Sequence, residues 1–406
     1  MTQPGQFDFS QQRRTFRLEL LRSIPQGVVE TAATTFAVFV AIRVFNLPPW
    51  MKGSIIASGS VGLLLSLFVV QLIRRIGCSV NSVAASLWVL SSTGFITAAL
   101  SPENPTLYFV GTCFAFVCMA SGAPLMAQIY RKHYADEKRG HLFSLSAMVR
   151  ACVVALAGWT VGLWIERQGF TPLFLTYAGG TLGMAACVMA MAPVRLRLSN
   201  RIRWFDAFNH VGQNRAFAKL LVVWMLLGLG NLTSWALFVE FIGNPVYGFG
   251  FDADRTGFIT STIPMLAFIV TVVPWGLIFD RMPFYRVRAV VNLFFMTGTL
   301  IYFLGGSVFA LCLGIALHGI ARSGGNILWT LWTTRFADEE RVGEYQSVHS
   351  FLTGVRGVIA PMIAFTVIQY LGPKSVAMMS ASLVLISTLV ILPEIISEFR
   401  NAPKEA

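Results

Sequence analysis

The chain has 406 residues, 55% hydrophobic and 12% charged, where soluble globular proteins carry roughly 25% charged residues. That composition excludes a water-soluble enzyme, and the length holds about ten to twelve helical crossings of about 20 apolar residues each. The net charge of +12 would point to nucleic acid only if the basic residues formed one continuous face; they occur instead as small clusters such as Arg74-Arg75 and Arg131-Lys132.

A polar, basic N-terminus (Arg13, Arg14, Arg17, Arg22) leads into the first apolar run. It has the outline of a secretory signal, but equivalent runs recur along the chain and make it the first of a series. Apolar runs near 20–46, 51–74, 80–100, 106–131, 140–166, 171–193, 217–243, 254–280, 286–305, 307–334, 343–370 and 374–394 predict twelve spans. Open sheets leave backbone groups unsatisfied in lipid, and a barrel would show alternating segments of about ten residues. The expected fold class is therefore an all-α integral membrane protein.

With the N-terminus in the cytoplasm, the only Lys or Arg residues expected outside are Arg43, Lys52, Arg167, Arg255 and Lys374. This bias predicts a multi-pass protein of the cell (cytoplasmic) membrane with both termini cytoplasmic. The basic loop clusters then have anionic lipid headgroups as partners, and nucleic acid is not one. The longest cytoplasmic connection, 194–216, holds Arg195, Arg197, Arg201, Arg203 and Arg215 with Trp204, Phe205 and Phe208. It reads as a linker, though such a segment can also lie in the membrane interface. Cys78, Cys113, Cys118, Cys152, Cys187 and Cys312 are scattered singly, so neither a disulfide framework nor a metal site is indicated, and no cofactor is called for.

The two halves repeat. Ser121-Gly122 followed by Tyr134–Arg139 matches Ser323-Gly324 followed by Phe336–Arg341; Phe16, Leu20, Gly27 and Glu30 match Phe217, Leu221, Gly228 and Asn231; Val149-Arg150 matches Val355-Arg356. Each match falls on the sixth span after its partner, which argues for a duplication. The expected division is a six-helix half over 1–193, the linker 194–216, and a second six-helix half over 217–406.

Twelve helices in two repeated halves joined by a basic central loop resemble the major facilitator superfamily of secondary transporters, from about Arg17 to Pro393. Gly276, Asp280, Arg281 and Arg286 match that family's loop motif after the second span of a half, with Pro283 where the family has Gly. In the first half the same window, from Val70 to Cys78, lacks the leading Gly and the Asp. The resemblance implies that Gly276, Asp280, Arg281 and Arg286 form a cytoplasmic conformational latch, and that spans one, four, seven and ten line a central cavity.

Ionisable residues in spans cost roughly 2.5 to 3.5 kcal/mol and face the bundle interior or a wet cavity. Glu30, Arg150, Arg322 and Arg356 fall in the middle of their spans, whereas Glu240 falls near the outer end and reads as an interfacial or gate contact. Residues four apart share a helix face: Gln26, Glu30 and Thr34 form one stripe, and His318, Arg322, Asn326 and Thr330 another. Span four offers Ser121 and Gln128, and span seven offers Asn231 and Ser234 beside Trp235. Taken singly, such polar residues can simply bond to neighbouring helices, and Glu30 with Arg150 reads equally as a fixed ion pair. A guanidinium keeps its charge and needs an anionic partner, so Arg322 is the leading substrate contact, with Arg150, Arg356, His318, Asn326, Asn231 and Gln26 around it.

The expected function is secondary transport of a small anionic or amphipathic solute by alternating access. Glu30 is the expected site of coupling to an ion, a proton, because burial favours its neutral form and a neighbouring Arg its charged one. The alternatives are an exporter of lipophilic compounds, a membrane-embedded enzyme and a non-transporting receptor. No HExxH, GxSxG or Walker-type sequence occurs, and the chain is not expected to be an enzyme.

Overall fold

The computed structural model describes residues 9–196, 208, 214–331 and 342–400. Its helices are α1 (Phe9–Arg43), α2 (Pro49–Ile76), α3 (Val80–Ala99), α4 (Pro105–His133), α5 (Asp136–Gln168) and α6 (Thr171–Ala190) in the first half. The second half has α7 (Arg215–Gly243), α8 (Ala253–Arg281), α9 (Phe284–Leu304) and α10 (Val308–Leu331). The stretch Val342–Val390 turns back at Gly372, whose φ of 76° and ψ of 175° favour a residue without a side chain. It is therefore two crossings, α11 (342–371) and α12 (373–390), followed by a short α13 (Leu392–Arg400).

Local chemistry sets the helix ends. Pro49 and Pro105 occupy first-turn positions, where the missing N–H costs nothing. The Asn104 side chain accepts from the backbone N–H groups of Thr106 and Leu107 at 3.1 and 3.0 Å, and Asn214 caps α7 through Phe217 at 3.0 Å. Gly77, left-handed at φ 78°, ends α2. Helix α1 starts well before the expected 20, because Gln12, Thr15, Glu19 and Arg22 are buried rather than left in a polar tail.

Among the described residues, twelve crossings make two six-helix halves, and the only β pairing is an isolated bridge between Ser79 and Arg195. The halves repeat in packing as well as in sequence: Gly94 meets Gly111 where α3 crosses α4, and Gly298 meets Gly314 where α9 crosses α10. The expected linker, 194–216, lies largely outside the described residues, as does Phe336–Arg341, the repeat partner of Tyr134–Arg139.

The two ends of the bundle differ. At the end away from the chain termini, called distal here, one continuous apolar core spans both halves and includes Phe36, Phe39, Phe241, Tyr302 and Phe365. At the terminal end the core is divided, with Trp88, Tyr130 and Tyr134 in one half and Trp224, Trp275, Phe284 and Tyr345 in the other. The halves are thus joined distally and parted terminally. The distal joint depends on small residues: Gly158 and Gly162 of α5 lie against the backbone of α8 at Gly257 and Asp254, and Gly257 also touches the Phe36 ring. A Cβ at Gly257 would overlap the Gly158 carbonyl, so Gly257→Val should force α5 and α8 apart. A thermal melt of the purified variant should fall by several degrees, with distal cysteine reporters becoming more reactive; an unchanged melt and reactivity would show that the joint tolerates the side chain.

Candidate functional site

Glu30 lies on α1 just before a π-helical turn, Ala32–Phe36. Its two carboxylate oxygens reach different helices: Oε2 is 3.4 Å from Arg150 Nε on α5, and Oε1 is 3.4 Å from an Arg322 terminal nitrogen on α10. One carboxylate thus joins two arginines from opposite halves. All three face open space, with side chains 21% (Glu30), 34% (Arg150) and 47% (Arg322) exposed. The separations exceed the 2.7–2.9 Å typical of charge-assisted hydrogen bonds, so the carboxylate is held loosely between its partners.

Next to this triad is a small cavity lined by Thr34, Asn231, Trp235, Ser261, His318 and Arg322, among others. Its polar wall comes from a second π-helical turn, Phe258–Thr262 on α8, which faces that of α1. Thr35 pairs with the hydroxyls of Thr260 and Ser261, each at 2.7 Å, and Thr34 with that of Ser261 at 2.9 Å. These bonds close the cavity on its distal side. His318 is 5% exposed, pairs through Nε2 with the Thr299 hydroxyl at 2.8 Å, and lies edge-on to Phe238. It is therefore both a packed core residue and part of the cavity wall.

Other expected residues fall differently. Gln26 is half-buried and Asn326 exposed, one turn from Glu30 and Arg322 respectively. The side chain of Thr330, the last of the α10 stripe, lies outside the described residues. Arg356 is not brought to the triad: it is 7% exposed and donates to the Trp224 backbone carbonyl of α7, in space left by Gly228. The repeat explains the difference, since Arg356 corresponds to Arg150 while Glu30 corresponds to Asn231; without the carboxylate, the guanidinium turns to a helix carbonyl. Of Gly276, Asp280, Arg281 and Arg286, the first has open space around it and the next two are exposed. Arg286 is tied to α13, bonding the Glu398 carbonyl and stacking on Phe399 at 3.9 Å.

Two buried ion pairs escaped the sequence reading. Lys52, expected outside the membrane, lies within α2 and donates to Glu240 Oε1 of α7 at 2.6 Å, with both side chains at most 6% exposed. Asn244 donates to the same oxygen at 2.8 Å, and the ammonium lies over the Phe365 ring at 5.4 Å. This pair bridges the halves at the distal end. In the loop beyond it, burial and then the Glu240 carboxylate push the Tyr247 phenol up to about 12. The second pair is Arg22 with Glu19, bidentate at 2.8 and 2.6 Å and also bonded to Tyr130. It is internal to the first half. Among the described residues, no three His, Cys, Asp or Glu side chains gather to hold a metal ion.

Residues 220–405 match the sequence profile of the Major Facilitator Superfamily. No curated protein sequence matches the chain. Its fold is similar to that of the nucleoside transporter NupG (TM-score 0.74, 14% identity, covering 97% of this chain and 100% of the other). It is also similar to a POT family transporter crystallised with a thioalcohol-conjugated peptide (0.76, 13%, 95% and 96%). A bacterial homologue of the iron transporter ferroportin in an inward-facing state gives 0.68 at 14% identity, covering 96% of this chain and 99% of the other.

Breaking a buried pair by removing one partner costs about 3–5 kcal/mol, because the other charge is left uncompensated. Glu240→Gln strands the Lys52 ammonium between the halves, so the distal joint should loosen and a cysteine placed at Phe39 should react faster with a membrane-impermeant thiol reagent. The double variant Lys52→Met/Glu240→Gln should restore most of the protection. Equal reactivity in wild type and single variant would show that the pair does not hold the joint.

Proposed function

We propose that the chain is a secondary transporter of the major facilitator superfamily, whose sequence profile matches residues 220–405 and to whose solved transporters its fold is similar, and that it carries a small organic anion bound between Arg150 and Arg322 in place of the Glu30 carboxylate. The observation that carries the reading is the sharing of one carboxylate by two arginines from opposite halves at 3.4 Å each. The triad has one excess positive charge, and a guanidinium cannot relieve it by losing a proton. A proton on Glu30 frees both arginines, and an anion then takes the vacated place. Proton and anion thus load together, which makes Glu30 the coupling residue and the proton the coupling ion.

Trp235, Phe238 and Phe295 on the cavity wall suit an apolar body on the anion, so an amphipathic carboxylate fits both parts of the site. Asn231, Gln26, His318 and Asn326 supply neutral polar contacts around the arginines. Arg356, turned to α7, contributes through the geometry of the second half. The terminal end, rich in Lys and Arg, faces the cytoplasm, so the opening between the halves is cytoplasmic. Gly276, Asp280 and Arg281 form the latch of the opposite state, with Arg286 anchored on α13. Resting on Trp235 and its aromatic neighbours alone, export of uncharged lipophilic compounds would leave the arginines without a role.

Proteoliposomes test the coupling. In Glu30→Gln, pH-driven uptake should be lost while substrate exchange persists; unchanged pH dependence rejects Glu30 as the proton site. A thermal-shift screen of metabolite anions at two pH values identifies the substrate, and a hit on the wild type should lose at least about tenfold in affinity in Arg322→Ala, the cost of one charge-assisted contact. Binding without flux would assign the chain to a receptor. Asp280→Asn should shift the balance between inward- and outward-facing states without altering which anions compete; altered selectivity would remove Asp280 from the latch.

A further inference from the structure

Helix α1 carries charge on two opposite faces. At about 100° per residue, Arg13, Arg14 and Arg17 point away from the side that carries Glu30, and all three are exposed with no charged partner among the described residues. They surround a pocket completed by Phe9, Ser10 and Leu18 of the same helix and Ala190 at the terminal end of α6. Immediately towards the membrane centre, the same outer face of α1 becomes apolar and exposed at Leu21 and Ile24. Met189 continues this surface on α6, which packs against α1 where Pro25 meets Gly180 and Gly183.

The arrangement is amphipathic along the membrane normal, with three uncompensated guanidinium groups at the interface and, below them, an apolar strip level with acyl chains. Arginine matches phosphate bidentately, and basic groups near an anionic leaflet each gain about 1 kcal/mol. A soluble phosphate would use only the cationic part of this surface. A phospholipid uses both, and the negative charge is what the three arginines lack.

We propose that the cleft between the start of α1 and the end of α6 is a binding site for an anionic phospholipid. Arg13, Arg14 and Arg17 hold the headgroup phosphate, and the acyl chains lie on Leu21, Ile24 and Met189. The site is on the perimeter, away from the Glu30 triad and independent of the transported substrate. It ties the first turns of α1, the helix that carries Glu30, to one leaflet.

The test uses the full chain in detergent, titrated with phosphatidylglycerol, phosphatidylcholine or inorganic phosphate, with lipid retention read by native mass spectrometry and stability by thermal melt. Phosphatidylglycerol should bind and raise the melting temperature, while phosphatidylcholine and phosphate should do neither. Arg13→Gln/Arg14→Gln/Arg17→Gln should melt like the wild type without lipid and bind phosphatidylglycerol about a hundredfold more weakly, as three contacts of about 1 kcal/mol each imply. Leu21→Gln/Ile24→Gln, which keeps the arginines, should also weaken retention. Equal stabilisation by phosphate would reduce the site to an anion patch, and equal phosphatidylglycerol binding by the triple variant would place the lipid elsewhere; either result overturns the proposal. Should the triple variant fold poorly, loss of wild-type phosphatidylglycerol binding in high salt supports the site, and salt-independent binding rejects it.

Discussion

A charge in a low-dielectric medium is costly unless a partner offsets it, and that constraint sets where the two halves of this molecule are tied together by charge. Lipid and buried helix surfaces supply few counter-charges, so each ionisable side chain in the bundle selects the partner it can reach. Among the described residues three ion-paired solutions occur, while the buried Arg288 lies over the Trp224 ring with no counter-charge. Arg22 takes Glu19 one turn away on its own helix, Lys52 takes Glu240 across the halves, and Arg150 and Arg322 share Glu30. The first pair is internal to one half and travels with it in any rigid-body rocking. The second and third cross between halves, so relative motion of the halves must stretch or replace them.

Duplication followed by divergence explains why the third solution is asymmetric. The arginines at equivalent positions of α5 and α11 are both present, but only α1 kept a carboxylate opposite; α7 has Asn231 there. Arg356 consequently folds back on the Trp224 carbonyl in the space over Gly228. A similar exchange occurs deeper in each half. Arg22 of α1 lies over Trp88 of α3 at 5.2 Å, whereas in the second half the ring, Trp224, is on α7 and the cation, Arg288, on α9 at 3.6 Å. The cation–aromatic contact between first and third helices survives although the residues have traded places.

Much of this was legible in the amino-acid sequence where a charge interrupts an apolar run. Glu30, Arg150 and Arg322 stood out because each puts a formal charge inside an otherwise apolar span, and on α1 and α10 neutral polar residues one turn away mark the same face. Lys52 did not stand out, because Pro48, Pro49 and Trp50 beside it look like loop punctuation; burial against Glu240 depends on a helix in the other half. Glu19 and Arg22 were hidden in a basic N-terminus whose helical continuation depends on packing against α4. Thr260 and Ser261 left no signal at all, since a hydroxyl can bond to its own helix and barely alters hydropathy. The direction of Arg356 was also unreadable, as it follows from the absence of a side chain at Gly228 and of a carboxylate at Asn231.

The distal seal and the charged triad are mechanically adjacent, and that adjacency gives the site a way to act on the whole fold. Thr34 is one turn beyond Glu30 on the same stripe of α1, with its hydroxyl 3.2 Å from the Glu30 carbonyl and 2.9 Å from Ser261 of α8. Between them α1 adopts a π-helical turn, a wider winding that is uncommon and concentrated at functional sites. A change in the partners of Glu30 therefore acts on the segment whose hydroxyls join the halves, and the facing π-helical turn of α8 gives that joint a second weakly wound element. Packed interiors deform in discrete steps rather than continuously. A small displacement of α1 at Glu30 would then release the Thr34, Thr35, Thr260 and Ser261 bonds as a set, leaving the distal end tied by the Lys52–Glu240 and Arg43–Asp252 pairs and by the Ala253 N–H donated to Glu166.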